Sequence, residues 1–244
     1  LFGTVQVTGT GVLDLRGNVV SKTGAGVKVQ PGGSLRITEP DTVVKGLECA
    51  LNIASGADVQ LSAGTYSIWK GSSPALQVEG NDFAALLADG CAYFDAGGSL
   101  ILPADVATAT TVTIGLCTDH SGKVCTHTAG TPTHTWACPY CGTGEEEPCT
   151  FTFDADGNGT CAPCGNTLTI DVDETDLTNL VYDGTIKPED VKITVALTDG
   201  SNQELKKGTD YKVEYVPRTD AGEITVTVTG LTFRGTFTKT YPVS

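Results

Sequence analysis

The sequence contains no methionine, no cluster of lysine and arginine, and no run of the roughly 20 apolar residues that a membrane-spanning helix needs. The missing apolar run excludes a helical membrane span in this segment. Because the chain starts at Leu1 and lacks methionine, we expect an internal piece of a longer protein, with any targeting signal or wall anchor outside it. The 29 acidic and 15 basic residues give a net charge of −14, which repels polyanions and excludes nucleic acid as a partner.

Charged residues are also scarce, at 18%, whereas glycine occurs 30 times and threonine is frequent. This composition is typical of all-β surface proteins and favours an extracellular location. All three histidines lie between Cys117 and Cys164, so no serine elsewhere has a histidine base for nucleophilic catalysis. We therefore expect a chain without enzymatic activity.

Pairs of apolar residues separated by one polar residue recur through the first eighty residues, with a period of about 22 to 25 residues. Three such series per period are what one coil of a parallel β-helix requires, because each pair turns two side chains inward. Turn-prone clusters such as 30–34 and 54–58 separate them. The series are Leu13/Leu15, Leu35/Ile37 and Val59/Leu61; Val27/Val29, Leu51/Ile53 and Leu76/Val78; and Val19–Val20, Val43–Val44 and Tyr66/Ile68.

The apolar pairs stop after Val78, and the different pattern of the residues that follow predicts a cap on the solenoid. Asn81 or Asp82 begins a short helix, and a hairpin follows around Gly97 and Gly98. Together these segments would close the open end of the solenoid. We assign residues 1–104 to a short β-solenoid with a helix and hairpin cap.

Seven of the nine cysteines lie in the next segment, residues 105–166, which contains two Cys-x-x-Cys-Gly motifs. Paired motifs of this kind present thiolates from tight turns and favour a structural zinc ion, as in zinc ribbons. A disulfide framework is the alternative that an extracellular location favours. The predicted metal ligands are Cys125, His127, Cys138, Cys141, Cys149, Cys161 and Cys164.

Spacing leaves the pairing of these ligands open. The two halves read as a tandem repeat, in which Cys125 and His127 would join the first motif and Cys149 the second. The second set then needs a fourth ligand, for which Cys117, His120 and His134 are the candidates. Alternatively, Cys138, Cys141, Cys161 and Cys164 clamp a single ion.

The loop Asp154–Gly159 matches the start of a calcium-binding EF loop, but Gly165 stands where the bidentate glutamate belongs. Since aspartate, asparagine and glycine are also common turn residues, we interpret this loop as the tip of a hairpin. No calcium site is expected there.

From Thr167 onward, apolar and polar residues alternate between regularly spaced turn signals, which predicts a β-sandwich over residues 167–244. The sequences Tyr182-Asp-Gly184, Leu197-Thr-Asp-Gly200 and Gly208-Thr-Asp-Tyr211 resemble bacterial immunoglobulin-like repeats of the YDG type. That resemblance implies a stalk or spacer domain of an adhesin or cell-wall protein.

A second resemblance covers Ser62–Tyr66 and Leu86–Gly98, which are similar to a recurring unit in large surface proteins of gut Firmicutes. The fold class predicted for the whole chain is all-β, with solenoid, zinc-ribbon-like module and immunoglobulin-like sandwich in series. The resemblances imply display on the surface of a Gram-positive bacterium, with an adhesin-like or stalk role. The expected partner is a host or cell-wall glycan or a surface protein.

The alternative function is a carbohydrate-binding or carbohydrate-active β-helix. Glu39, Asp41 and Asp58 are the conceivable catalytic acids, because glycoside hydrolysis needs a pair of carboxyl groups. Exposed aromatic rings could instead stack on sugars, and the candidates are Trp69, Tyr66 and Tyr93. Cys49 and Cys91, outside the cysteine-rich segment, are expected to be small buried apolar side chains.

Overall fold

The protein is almost entirely β-structure. Its computed structural model describes residues 3–175, 177, 188 and 191–243. The chain divides into two compact units. The first contains residues 1–123 and 137–143, and the second contains residues 124–136 and 144–244.

The first unit contains a parallel β-solenoid of about three turns, as the sequence predicted. Its strands form three sheets, with the orders β1-β4-β7-β10, β2-β5-β8 and β3-β6-β9. The strands are β1 (Val5–Val7), β2 (Val12–Asp14), β3 (Val19–Val20), β4 (Val27–Val29), β5 (Ser34–Ile37), β6 (Val43–Gly46), β7 (Leu51–Ile53), β8 (Asp58–Leu61), β9 (Gly64–Ile68) and β10 (Leu76–Val78).

The register of these sheets confirms the first two apolar series, whereas in the third series Val20 pairs with Lys45 and not with a valine. Val27 pairs with Leu51, which pairs with Leu76. Each of these side chains is fully buried. Because the pairing is parallel and in register, equivalent apolar residues of successive coils stack inside the solenoid. The sequence did not predict β1, which adds a fourth strand beside β4.

A helix and a hairpin close one end of the solenoid, again as predicted. Two short 3₁₀ helices (Ala84–Leu86 and Pro103–Thr108) flank the strands β11 (Cys91–Phe94) and β12 (Leu100–Ile101). Strand β13 (Thr111–Leu116) pairs with both β11 and β9, so the third solenoid sheet grows to six strands. The buried hydroxyl of Tyr93 donates a hydrogen bond to the carbonyl oxygen of Phe83 and ties the cap together.

The second unit contains three further sheets, with the orders β14-β15-β16, β17-β18-β19-β20 and β21-β22-β23. The last two are antiparallel and share one hydrophobic core, which includes Leu168, Val195 and Val226. The strands are β14 (Val124–His127), β15 (Thr133–Ala137), β16 (Gly144–Pro148), β17 (Phe151–Phe153), β18 (Asn158–Cys161), β19 (Thr167–Val172), β20 (Ile193–Leu197), β21 (Tyr211–Tyr215), β22 (Gly222–Gly230) and β23 (Thr236–Val243).

The loop between β17 and β18 is the hairpin tip that the sequence predicted. The carboxylate of Asp154 accepts hydrogen bonds from the backbone N–H groups of Asp156 and Asn158, so it is engaged in the turn itself. Gly157 has a φ of +86° and lies so close to β19 that a Cβ there would be 2.2 Å from the carbonyl oxygen of Ile170. Glycine is therefore required by the fold at this position.

The two units distribute the cysteine-rich segment 105–166 differently from the predicted three-part division. Strand β18 pairs with β19, and the ladder therefore crosses the boundary predicted at residue 167. The physical reason is that Phe151 and Cys161 are buried in the same core as the later strands. Tyr182-Asp-Gly184, which carries part of the YDG resemblance, lies outside the described residues.

Candidate metal centres

Two groups of four side chains bring together cysteine and histidine atoms at distances suited to a metal ion. The first cluster consists of Cys117, His120, Cys138 and Cys141. The second cluster consists of His134, Cys149, Cys161 and Cys164. Within each cluster, the potential ligand atoms lie within 4.8 Å of one another.

The first cluster lies entirely within the first unit and combines two i, i+3 pairs. Cys117 and His120 follow the end of β13. Cys138 and Cys141 belong to the first Cys-x-x-Cys-Gly motif, in residues 137–143, and we call the tight turn of each such motif a knuckle. The Sγ atom of Cys117 is 3.9 Å from both Cys138 Sγ and His120 Nδ1. The Sγ atom of Cys141 is 3.8 Å from the same ring nitrogen. His120 thus faces the sulfur atoms through Nδ1.

The second cluster lies within the second unit. Strand β15 carries His134, Cys149 lies between β16 and β17, and the knuckle of Cys161 and Cys164 begins at the end of β18. The Sγ atom of Cys149 is 3.5 Å from His134 Nδ1 and 3.7 Å from Cys164 Sγ. The Sγ atom of Cys161 is 3.9 Å from the same Nδ1 atom.

These distances match the edges of a tetrahedral zinc site. With Zn–S bonds of about 2.3 Å and Zn–N bonds of about 2.0 Å, tetrahedral geometry places ligand atoms roughly 3.5–3.8 Å apart. A disulfide would require a sulfur–sulfur distance of about 2.05 Å. All nine cysteines lie among the described residues, and all nine are free thiols. The donor sets therefore fit zinc, with three sulfur atoms and one nitrogen in each cluster.

Burial opposes the ionisation of three of these thiols. It raises the pKa of Cys117 to about 12, and it also raises the pKa of Cys149. Burial raises the pKa of Cys164 as well. The pKa of Cys141 is lowered instead, because its burial is outweighed by hydrogen bonds, chiefly with Thr143. A metal ion reverses the effect of burial, since it binds the thiolate form and displaces the proton.

Asn166 contacts one of the sulfur atoms of the second cluster without belonging to the cluster itself. Its side chain is fully buried, and its amide nitrogen donates to the carbonyl oxygen of Thr131 at 3.1 Å and approaches Cys149 Sγ at 3.8 Å. An N–H group directed at a sulfur atom stabilises a thiolate better than a thiol. Such outer contacts orient metal ligands and strengthen metal binding.

The structure brings five of the seven predicted ligands into clusters. Cys138 and Cys141 lie in the first, whereas Cys149, Cys161 and Cys164 lie in the second. The two knuckles thus belong to separate clusters, unlike in the alternative with one shared ion.

Cys125 and His127 lie on β14, and neither belongs to a cluster that the described residues form. His120 and Cys117 take their place beside the first knuckle. The signal for this pair was present in the sequence, because Cys117-x-x-His120 has the same spacing as the knuckles. No comparable local signal marks His134, which the fold brings to the second knuckle.

The residues predicted for carbohydrate binding or hydrolysis differ in exposure and in their partners. Asp58 forms an ion pair with Arg36, and this contact lowers the pKa of its carboxyl group, which opposes a role as a general acid. Tyr66 and Tyr93 are fully buried and thus unable to stack on a sugar. Trp69, in contrast, is 44% exposed.

Comparison with family models, curated protein sequences and solved structures gave no significant match for this chain. Among the described residues, no helix has the length and apolar character needed to cross a bilayer.

Proposed function

We propose that this chain is a structural, non-enzymatic segment of an extracellular bacterial surface protein, in which two zinc ions hold the cysteine-rich part. The observation that carries this proposal is the closed donor set of each cluster. Four protein ligands complete a tetrahedral shell and leave no position for a water nucleophile, which is the pattern of structural rather than catalytic zinc.

The positions of the clusters in the fold support a structural role. Each joins segments that are distant in the sequence. Residues 137–143 contain no strand apart from Ala137, and the first cluster connects them to Cys117 and His120 at the end of the solenoid unit. In the second cluster, Cys149 and Cys161 are core residues, so metal binding and packing of the core reinforce each other.

Location outside the cell rests on composition and on the resemblances to surface proteins. The chain is acidic and rich in glycine, and its second unit packs two antiparallel sheets around one core, as an immunoglobulin-like stalk domain would. Bound zinc would also protect thiols that the oxidising exterior otherwise converts to disulfides. Labelling of intact cells with an antibody against this segment tests the location. Staining that requires permeabilised cells would contradict it.

Metal content tests the structural role directly. Protein purified without chelators and without a histidine tag is analysed by native mass spectrometry, together with a count of reactive thiols. We expect two zinc ions per chain, with six cysteines protected until a chelator is added. A metal-free protein with cysteines joined as disulfides would overturn the proposal.

A further inference from the structure

The outward face of the third solenoid sheet carries positive charge beside an exposed aromatic ring. Lys22 follows β3, Lys45 lies within β6, and Trp69 follows β9, so the three residues belong to successive coils. The Nζ atom of Lys45 is 4.4 Å from the centre of the Trp69 ring, and that of Lys22 is 5.9 Å from it. Trp69 is thus the centre of a compact cationic and aromatic patch, which we call the Trp69 patch.

The sheet register explains why these side chains meet. Val20, Lys45 and Ser67 are paired neighbours on adjacent parallel strands. Backbone hydrogen bonds continue this alignment past the strands, since Ser21 N–H donates to Lys45 O and Trp69 N–H donates to Gly46 O. Because strands in a sheet lie about 4.8 Å apart, the patch extends over roughly 10 Å across the coils.

The strands of this sheet carry no negative charge. Strands β3, β6, β9 and β13 contain no aspartate or glutamate, although the chain as a whole has 29 acidic residues. Outward positions beside the patch are hydroxyl-bearing, such as Ser67 and Thr111, which are paired neighbours. Among the described residues, neither Lys22 nor Lys45 forms an ion pair with a carboxylate.

We infer that the Trp69 patch binds an anionic polysaccharide, with a sugar ring stacked on the indole and its carboxylate groups paired with Lys22 and Lys45. Charge complementarity selects an acidic ligand, and a single flat ring flanked by hydroxyl groups suits a sugar better than a helical peptide or a lipid tail. The lysine contacts with the indole are cation–π contacts at the surface, between an exposed Lys22, a half-buried Lys45 and an exposed Trp69. A carboxylate can replace the ring as the partner of the ammonium groups.

The net charge of −14 does not prevent such binding. At physiological ionic strength the Debye length is about 8 Å, so acidic groups on the other solenoid faces are screened from this patch. The two ammonium groups lie within 5.9 Å of the ring centre, well inside this length. The patch shares no residue with either metal cluster, so this inference does not rest on zinc binding.

Polygalacturonate is a suitable probe, and its fully methyl-esterified form is the neutral control polymer. Binding to the intact chain is measured by calorimetry at physiological salt. We expect the acidic polymer to bind and the neutral ester to bind at least about tenfold more weakly, because the ester removes the charge but keeps the sugar ring.

Variants assign the binding to the patch. Trp69→Ala is expected to weaken binding about tenfold, as truncation of an aromatic anchor typically does, and Lys22→Gln/Lys45→Gln by a similar factor. Lys28→Gln is the matched control, since Lys28 is an exposed lysine on β4 of another solenoid sheet and should leave binding unchanged. Far-ultraviolet circular dichroism verifies that each variant remains folded.

Three results with the polysaccharide would overturn the inference. These are no binding of the acidic polymer, equal binding by the Trp69→Ala variant, or equal loss in the Lys28→Gln control. Preference for vesicles of anionic lipid over the polysaccharide would also contradict it, because the patch would then serve a membrane surface.

Discussion

Replacement of Cys149 by serine should release one of two metal ions and destabilise the second unit. Cys149 is fully buried and lies 3.5 Å from the ring nitrogen of His134. Serine is a poor zinc ligand and leaves only three donors in this cluster. The first cluster shares no residue with the second and should retain its ion.

The expected loss of stability follows from linkage. A ligand present at 1,000 times its dissociation constant stabilises the folded state by about 4 kcal/mol. Structural zinc sites bind with apparent free energies of about 10–16 kcal/mol, so this ratio is reached at low free zinc. Since domains are stable by only about 5–15 kcal/mol, the substitution removes a large share of the total. For a unit of this size, 4 kcal/mol corresponds to a decrease in Tm of roughly 12–20 °C.

Native mass spectrometry and thermal unfolding measure both consequences. Fluorescence is a convenient signal, because Trp136 lies in the second unit and is only 9% exposed. Cys49→Ser is the matched control, since Cys49 is 1% exposed but belongs to neither cluster. It should retain two ions. If Cys149→Ser also retained two ions and unfolded within a few degrees of the unmodified chain, the assignment of the second cluster would be refuted.

Three further predictions concern other residues. Cys125→Ser should leave the metal content at two ions per chain, as mass spectrometry would show, because Cys125 lies outside both clusters. Gly157→Ala should destabilise the second unit by at least about 1–3 kcal/mol in urea unfolding, since φ is +86° and the new Cβ would contact Ile170. Burial raises the pKa of Tyr66 above its ordinary value of 10.0, so its contribution to stability is present below pH 10 and is lost as the pH rises further. Tyr66→Phe should therefore reduce the slope of stability against pH, measured by urea unfolding above pH 10, by about 1.4 kcal/mol per pH unit.

Each of these predictions has a contrary outcome. A loss of one metal ion in Cys125→Ser would restore the ligand set predicted from the tandem repeat. Unchanged stability of Gly157→Ala would mean that the hairpin tip can move away from β19, and Gly142→Ala, which has a positive φ but no atom within 4 Å, is the control for backbone strain alone. An unaltered slope in Tyr66→Phe would mean that the Tyr66 hydroxyl ionises over the same pH range in the folded and unfolded chain, so that burial does not raise its pKa.

The solenoid was predictable because its signal is periodic. Parallel coils repeat the same inward positions, and the spacing of Val27, Leu51 and Leu76 therefore fixed both the sheet and its register. Strand β1 was missed although its signal was present, because Val5 and Val7 precede Val27 and Val29 by one period of 22 residues. The pairing of β1 with β4 follows that spacing.

The metal ligands were predictable where they are local, and the tandem repeat also assigned Cys149 correctly to the second cluster, with His134 among the three candidates for its fourth ligand. A Cys-x-x-Cys motif brings its own two thiols together through one tight turn, so both knuckles were identified correctly as parts of clusters. The remaining ligands depend on which strands become neighbours. The tandem repeat predicted Cys125 as a ligand of the first cluster. Cys125 lies on β14 and belongs to neither cluster, whereas Cys117, which follows β13, is part of the first.

The order of the ligands along the chain has a mechanical consequence. A pull on the two ends would pass from Cys117 through the first metal ion to Cys138, and later from Cys149 through the second ion to Cys164. His134, a ligand of the second ion, lies between Cys117 and Cys138, so the two loops closed by the metal ions overlap and loss of the first ion would transfer the load to His134. Loss of the second ion alone would release the 15 residue steps between Cys149 and Cys164 and lengthen the chain by up to about 50 Å. Single-molecule pulling with and without chelator would detect these releases as extension steps that depend on bound metal.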